Sequence, residues 1–428
     1  MMTRQRLRSD PARWLPACPS KEARLFTWTN VALIVATLAV GAFLFRPRLL
    51  MSETWQATVT PLASIIGSGF LVAGPLLAGI AGHFAALAML GLCAAGYLFG
   101  SAIRHNIVHI EPELEAGASR FVRIVERASE VSLALAYFVS VAYYLHLFAA
   151  FGLRFGEVLD PLWVRIAATV VIAGVGAIGA AGGLDALERV AVSAVGLKLA
   201  LIAGLFAALL VAAIVAIAHG TFSWNAPQPP FSLTNVGVFL GLVILVQGFE
   251  TSRFLGAAYD RPTRVKTMRR AQWIATGIYA LFFLLITSHF TGERVDSNDE
   301  TAIIDLLRPV GLLVAPLIIL TALASQLSAA VADMNGAGGL LSESTSRRLS
   351  VKIGNLVTAA AAIGLIWTSD IYEIITLASK MFVAFYALQS LQAAGSAGRV
   401  GKTARAGVYA FGVLIALAVI LFAIPAAA

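Results

Sequence analysis

The residues best able to do chemistry are few, and they interrupt apolar runs. Ala63-Ser64-Ile65-Ile66-Gly67-Ser68-Gly69-Phe70 places a serine between two glycines in the middle of such a run. Glycine costs a helix interior about 1 kcal/mol relative to alanine, so this is a weak point. A helix that breaks here frees carbonyls of its first half and N–H groups of its second. The N-terminal end of the second half attracts an anion such as a carboxylate, and the free carbonyls attract an ammonium. Together they would hold a zwitterion. The same small residues also suit a close helix-packing face, and the motif alone leaves both readings open.

A second interruption is Gln247-Gly248-Phe249-Glu250-Thr251-Ser252-Arg253. An isolated charge near a bilayer centre costs at least ~2.5 kcal/mol. Glu250 and Arg253, spaced i and i+3, are placed to pair with each other. Lys198 lies about nine residues past Arg189, roughly 13 Å deep at 1.5 Å per residue, farther than a lysine comfortably snorkels. Such a lysine can exchange its proton with changes around it, stand in for a bound sodium ion as a fixed cation, or rest on backbone carbonyls for structure alone. Ser325 and Ser328, one turn apart, offer oxygen ligands to a cation, or bond back to their own helix. Asp333 and Asn335 are expected near the basic boundary. Lys380 is deep and has no evident partner, and His146 follows Tyr143-Tyr144 on an apolar helix.

The elements that must position these groups follow from composition. Apolar residues make up 59% of the chain and charged residues 13%, and mean hydropathy is +0.84. Soluble domains carry roughly 25% charged residues, so a soluble enzyme is excluded. Charges gather between apolar runs of the ~20 residues that a ~30 Å hydrocarbon core demands. The excess of 31 Lys and Arg over 23 Asp and Glu reads as loop anchoring, not nucleic-acid binding. Two cysteines, Cys18 and Cys93, imply neither a disulfide framework nor a metal site, and no cofactor is expected. The apolar stretch Thr29–Phe45 runs into Arg46-Pro47-Arg48, which is not a signal-cleavage site.

About twelve apolar segments can be counted: Phe26–Phe45, Trp55–Ile80, Phe84–Ile103, Val131–Leu153, Leu162–Ala181, Arg189–Ala218, Thr234–Tyr259, Ala271–Phe290, Ile303–Val331, Val351–Trp367, Ile371–Leu391 and Ala404–Ala423. The longest polar gap is Arg104–Glu130. Basic clusters at Arg104–Arg127, Arg261–Arg270, Arg347–Lys352 and Arg399–Arg405 fall on one side if Trp55–Ile80 runs from inside to outside. The basic tail Arg4–Arg24 dissents, since a spanning leading helix would put it outside; the sequence leaves open whether that helix spans.

Each interruption opens a block of five segments about 160 residues long. An odd number of helices forces the two blocks into opposite orientations, and interrupted helices at matching positions of two halves point to a midplane transport site. The division is then a basic tail and leading helix over 1–54, a first repeat over 55–218, a second over 234–393 and a C-terminal helix over 404–428. This is an all-α polytopic membrane protein with a five-plus-five inverted-repeat fold.

These residues resemble amino-acid permeases of the amino acid–polyamine–organocation (APC) superfamily. Ile65-Ile66-Gly67-Ser68-Gly69-Phe70 is similar to the family's first-helix motif, and Gly248-Phe249-Glu250 with Asp260-Arg261-Pro262 and Arg264 to its sixth helix and following loop. Gly117-Ala118-Ser119-Arg120-Phe121 resembles the short motif before its third helix. Lys198 stands where sodium-independent members carry a proton-linked lysine. The resemblance covers about residues 55–393. Gly336-Ala337-Gly338-Gly339 replaces the Ser-Arg of many members, and the leading helix is extra, which marks a distant member.

The resemblance implies a secondary transporter of amino acids or small amines in the inner bacterial membrane. Gly67, Ser68, Gly69 and Phe70 would offer N–H groups to a carboxylate, and carbonyls near Ile65, Ile66 and Gln247 would take the ammonium. Phe249 is the expected gate, Gly248 and Glu250 the rest of the second binding stretch, and Lys198 the proton switch. The implied partners are a small-molecule substrate, a proton and the bilayer. Two other readings stay open: a sodium symporter using Ser325 and Ser328, and a non-transporting receptor or assembly protein.

Overall fold

The computed structural model describes residues 21–67, 69–182, 184–224, 226–290, 299–345 and 347–426. Among these residues helix is the only regular secondary structure, and nine helices are long and apolar enough to cross a membrane. The protein is thus an integral membrane protein. The basic tail before Lys21 and most of the acidic loop at 291–298 lie outside the described residues.

Fifteen α-helices follow in chain order, with short 3₁₀ turns between some of them. They are α1 (Lys21–Leu44), α2 (Pro47–Leu50), α3 (Glu53–Ile65), α4 (Gly69–Ala81), α5 (Ala85–Glu115), α6 (Arg120–Leu153), α7 (Pro161–Ala181) and α8 (Leu184–Ala218). The second part comprises α9 (Leu233–Leu240), α10 (Arg261–Ile286), α11 (Ile303–Leu307), α12 (Val314–Ser344), α13 (Val351–Thr368), α14 (Ile371–Arg399) and α15 (Thr403–Phe422). α6, α12 and α14 are the most buried, with α6 packed against both of the others, whereas α7, α13 and α15 form the rim.

The expected polar gap Arg104–Glu130 is mostly helical. α5 continues to Glu115, and α6 starts at Arg120 with Ser119 as its N-cap, accepting from the Val122 N–H at 3.4 Å. The polar residues stay in helices because other helices satisfy them. Asn106 donates to the Gln389 carbonyl at 2.8 Å, Arg264 closes on both oxygens of Glu111 at 3.0 and 2.6 Å, and Arg104 donates to Gln272. Arg253 joins the same cluster through Glu126 at 2.7 Å and through Gln389. Paired and hydrogen-bonded charges can be buried where isolated ones cannot.

The leading helix α1 lies antiparallel along α8. A side chain at Gly196 would meet Phe45, one at Gly41 would meet Ala200, and one at Gly204 would meet Thr37 and the Leu33 carbonyl. Such small-residue seams are how helices associate in lipid, where no hydrophobic drive exists between them. Its far end is tied down as well, since Asn30 accepts from the Leu313 N–H at 3.1 Å.

Candidate substrate and coupling site

The first interruption is a short break between two regular helices. α3 ends at Ile65, with the Ile66 N–H on the Leu62 carbonyl at 3.0 Å and the Gly67 N–H on the Ser64 carbonyl at 3.1 Å. α4 resumes at Gly69; Ser68 lies outside the described residues. Gly69 is glycine because a Cβ there would sit 2.7 Å from Leu245 Cα on the second interruption.

That second interruption is longer. α9 stops at Leu240, a 3₁₀ turn covers Val243–Val246, and a second 3₁₀ stretch covers Phe249–Ala257. Between them Gln247 is extended and Gly248 has φ +112°. A Cβ on Gly248 would fall 2.6 Å from Ser64 C and Ile65 N. The two breaks therefore cross in direct backbone contact. Tyr279 of α10 bridges them, its hydroxyl oxygen 2.7 Å from both the Ile65 and Leu245 carbonyl oxygens, donating to one at a time.

Lys198 of α8 is 1% exposed and donates to the Ala63 carbonyl at 2.9 Å, three residues before the end of the turn at Ile66. Its ammonium thus sits on the break itself. The expected Glu250–Arg253 pair is not formed. Glu250, fully buried, turns back to accept from the Gly248 N–H at 2.9 Å and from the Tyr386 hydroxyl at 2.8 Å. The N–H freed by the break is the nearer donor, and Arg253 reaches Glu126 on α6 instead.

The described residues pack closely at the crossing. The cavity beside it, lined by Ile65, Val246, Tyr279 and Gly96, holds about 10 Å³, room for about one water. Phe249 is buried and stacks on Tyr386 with ring centres 5.0 Å apart. Around the crossing lie buried polar atoms without a partner among the described residues, including Gln247 Oε1, Glu250 Oε1 and Ser325 Oγ. Unsatisfied buried polar atoms are costly, and a polar ligand entering between the breaks would relieve them.

Comparison with known proteins identifies the family and the fold. A model of a family described as APC superfamily transporter matches residues 47–423. An uncharacterized protein of Aquifex aeolicus (strain VF5) is 40% identical over 366 residues, 85% of this chain and 89% of that protein. Among solved structures, the substrate-bound outward-open state of a Na+-coupled sialic acid symporter superposes with a TM-score of 0.52. It is 14% identical and covers 94% of this chain and 98% of its own, so the likeness is one of fold. The chain belongs to the APC superfamily of transporters.

Within an APC transporter fold, the remaining residues singled out in the sequence take their places. Asp260 caps α10 by accepting from the Thr263 N–H at 2.9 Å, and Arg264 after it locks onto Glu111. Ser325 and Ser328 are both buried on α12, and α12 reaches the first break at Ala329, which would lie 3.4 Å from a Cβ on Gly67. Lys380 is half-buried without a carboxylate partner among the described residues. His146 faces Glu300 at 3.4 Å, at the opposite end from the basic clusters.

Asp333 is the residue that sequence reasoning misplaced. It is 1% exposed and accepts from the Ser140 hydroxyl at 2.5 Å, deep between α12 and α6 rather than at a boundary. α12 runs on to Ser344, about 16 Å beyond it at 1.5 Å per residue. Tyr279 was likewise not singled out; a lone tyrosine in an apolar helix carries no local signal that its hydroxyl bridges two backbone breaks. Among the described residues no group of three or more His, Cys, Asp or Glu is placed to hold a metal ion.

Proposed function

We propose that this APC transporter carries amino acids or related small amines by alternating access, coupled to protons, in the bacterial inner membrane. The observation that supports it best is the Lys198 ammonium on the Ala63 carbonyl. A charged lysine there holds the end of α3 in place. Loss of its proton removes the charge and weakens that bond, which links protonation to the geometry of the substrate break. In this reading the two breaks open blocks 55–218 and 234–393 as inverted five-helix repeats, with α1 and α15 outside them. The substrate carboxylate meets the N-terminal end of α4 at Gly67, Ser68, Gly69 and Phe70. The ammonium takes the carbonyls at Ile65, Ile66 and Gln247, with the free Glu250 oxygen nearby and Phe249 as the gate.

A second reading, sodium coupling, has one observation in its favour: the unpartnered Ser325 hydroxyl on the helix that touches the first break. Against it, the Lys198 ammonium already holds the Ala63 carbonyl beside that break.

The test is uptake of a radiolabelled amino-acid and amine panel into proteoliposomes, with an imposed pH gradient, no sodium, and Lys198→Ala beside the wild type. Gradient-driven uptake that Lys198→Ala abolishes is the expected result. Uptake that needs sodium at fixed pH and survives Lys198→Ala transfers the coupling to Ser325 and Ser328. No uptake of any panel member under either condition overturns the amino-acid reading and favours a receptor role.

A further inference from the structure

The basic end of the molecule carries a groove that the transport mechanism does not use. It has a volume of about 550 Å³ and lies between the elbow joining α2 to α3 and the start of the apolar part of α10. Its apolar lining includes Leu49, Trp55, Trp273 and Ile274, and its charged lining is Arg269 and Arg270. Trp273 is 60% exposed on a helix that crosses the bilayer, so the groove opens toward lipid. Two indoles at this depth mark the membrane–water interface, where headgroups lie.

The arginines differ from their neighbours. Arg253, Arg261, Arg264 and Arg399 on the same end each close on a glutamate. Arg269 and Arg270 close on no carboxylate among the described residues, and both are exposed. If they served only to anchor the helix end, they would need no concave apolar surface beside them. Arg46 and Arg48 at the α2 elbow add positive charge without an acidic partner among the described residues. Glu53 is the exposed acid on the first turn of α3, and it does not line the groove.

We propose that this groove binds an anionic phospholipid. Its phosphate is held by Arg269 and Arg270, and an acyl chain runs over Leu49, Trp55, Trp273 and Ile274. Planar guanidinium groups match phosphate oxygens, and basic pockets between membrane helices are suited to such headgroups. A lipid seated here would brace α3 against α10, the two helices that contribute the Ile65 carbonyl and the Tyr279 hydroxyl to the crossing.

The experiment is native mass spectrometry of the full chain in a lipid-free detergent, titrated with phosphatidylglycerol and, separately, phosphatidylethanolamine. Wild type should bind phosphatidylglycerol preferentially. Arg269→Gln/Arg270→Gln should weaken that binding roughly twenty- to thirtyfold, from about fivefold per arginine at a membrane surface. Arg347→Gln/Arg348→Gln, which removes the same charge elsewhere on that end, should leave it unchanged. Soluble glycerol 3-phosphate should not displace the lipid. All four side chains are outside the core, so equal melting temperatures without lipid serve as the folding control. Equal binding of the two lipids, equal loss in both double variants, unchanged binding in Arg269→Gln/Arg270→Gln, or displacement by glycerol 3-phosphate would each overturn the proposal.

Discussion

The two breaks in this transporter are built differently. The first, between α3 and α4, is a short gap in otherwise regular helix, and what holds it comes from elsewhere: Lys198 on the Ala63 carbonyl and Tyr279 on the Ile65 carbonyl. The second spreads over Gly241–Tyr259 and is tied side chain by side chain to α14. Ser379 donates to the Gly241 carbonyl at 2.6 Å and accepts from the Ile244 N–H at 2.9 Å. Tyr386 holds Glu250, and Glu250 holds the Gly248 N–H. Among the described residues the first break hangs on one titratable cation and one hydroxyl, whereas the second is fixed to a buried scaffold helix. A proton event is therefore expected to release the first break while the second stays with α14.

The largest effect should come from adding one methyl group at the crossing. Gly248→Ala forces a side chain into the left-handed region, at a cost of about 1–3 kcal/mol. It also drives Cβ to 2.6 Å from the Ser64–Ile65 peptide, where overpacking adds about as much again. Gly67→Ala meets the Ser64 carbonyl at 2.9 Å and otherwise only contacts at 3.4 Å, without a positive φ. Thermal melting in detergent should show Gly248→Ala far more damaged than Gly67→Ala. The reverse order would mean that the first break is the rigid one.

Next in size is Ser379→Ala, which strands the Ile244 N–H and the Gly241 carbonyl in a buried site and should cost about 2–3 kcal/mol. Glu250→Gln keeps an acceptor for Tyr386 and the Gly248 N–H, so it should melt within about 1 kcal/mol of the wild type. If Glu250→Gln is the more destabilising of the two, the second break depends on charge and the contrast with Lys198 fails.

How far the sequence disclosed this arrangement depends on the range of each signal. The interruption at Gly67–Gly69 and the one at Gln247–Gly248 were legible because glycine and polar residues within an apolar run are local signals. The side chains that finish each site were not. Glu250 reads as a partner for Arg253 three residues on, yet its bond runs to Tyr386, and Arg253 bonds to Glu126. The helical character of Arg104–Glu130 was hidden for the same reason, because buried polar groups such as Arg104, Asn106 and Glu111 find their partners on α10 and α14. Asp333 was placed too shallow because the apolar run Ile303–Val331 spans α11 and only part of α12, which continues through Gly336–Gly339 to Ser344. Whether the leading helix spans was undecidable from charge, since the seam of Gly41, Gly196 and Gly204 that seats it on α8 is a property of two segments together.

The smallest expected effect lies at the end of the molecule away from the basic clusters, and it tests whether anything there titrates like the first break. Glu300 sits outside the spanning helices, beside a cavity of about 510 Å³ that also meets Asp299, Asp370 and Arg165. Its burial alone would lift the carboxyl, but the His146 imidazole hydrogen-bonded to it holds it below the usual carboxylate range. A carboxyl lowered on folding stabilises the protein fully above its unfolded value, and that stability disappears as pH falls through the lowered folded value. Melting temperature in detergent should therefore drop between about pH 5 and pH 3, with a part of order 1 kcal/mol that Glu300→Gln removes. If Glu300→Gln leaves the drop between about pH 5 and pH 3 unchanged, this carboxylate is not the group lost on acidification, and that end of the molecule holds no counterpart to the first break.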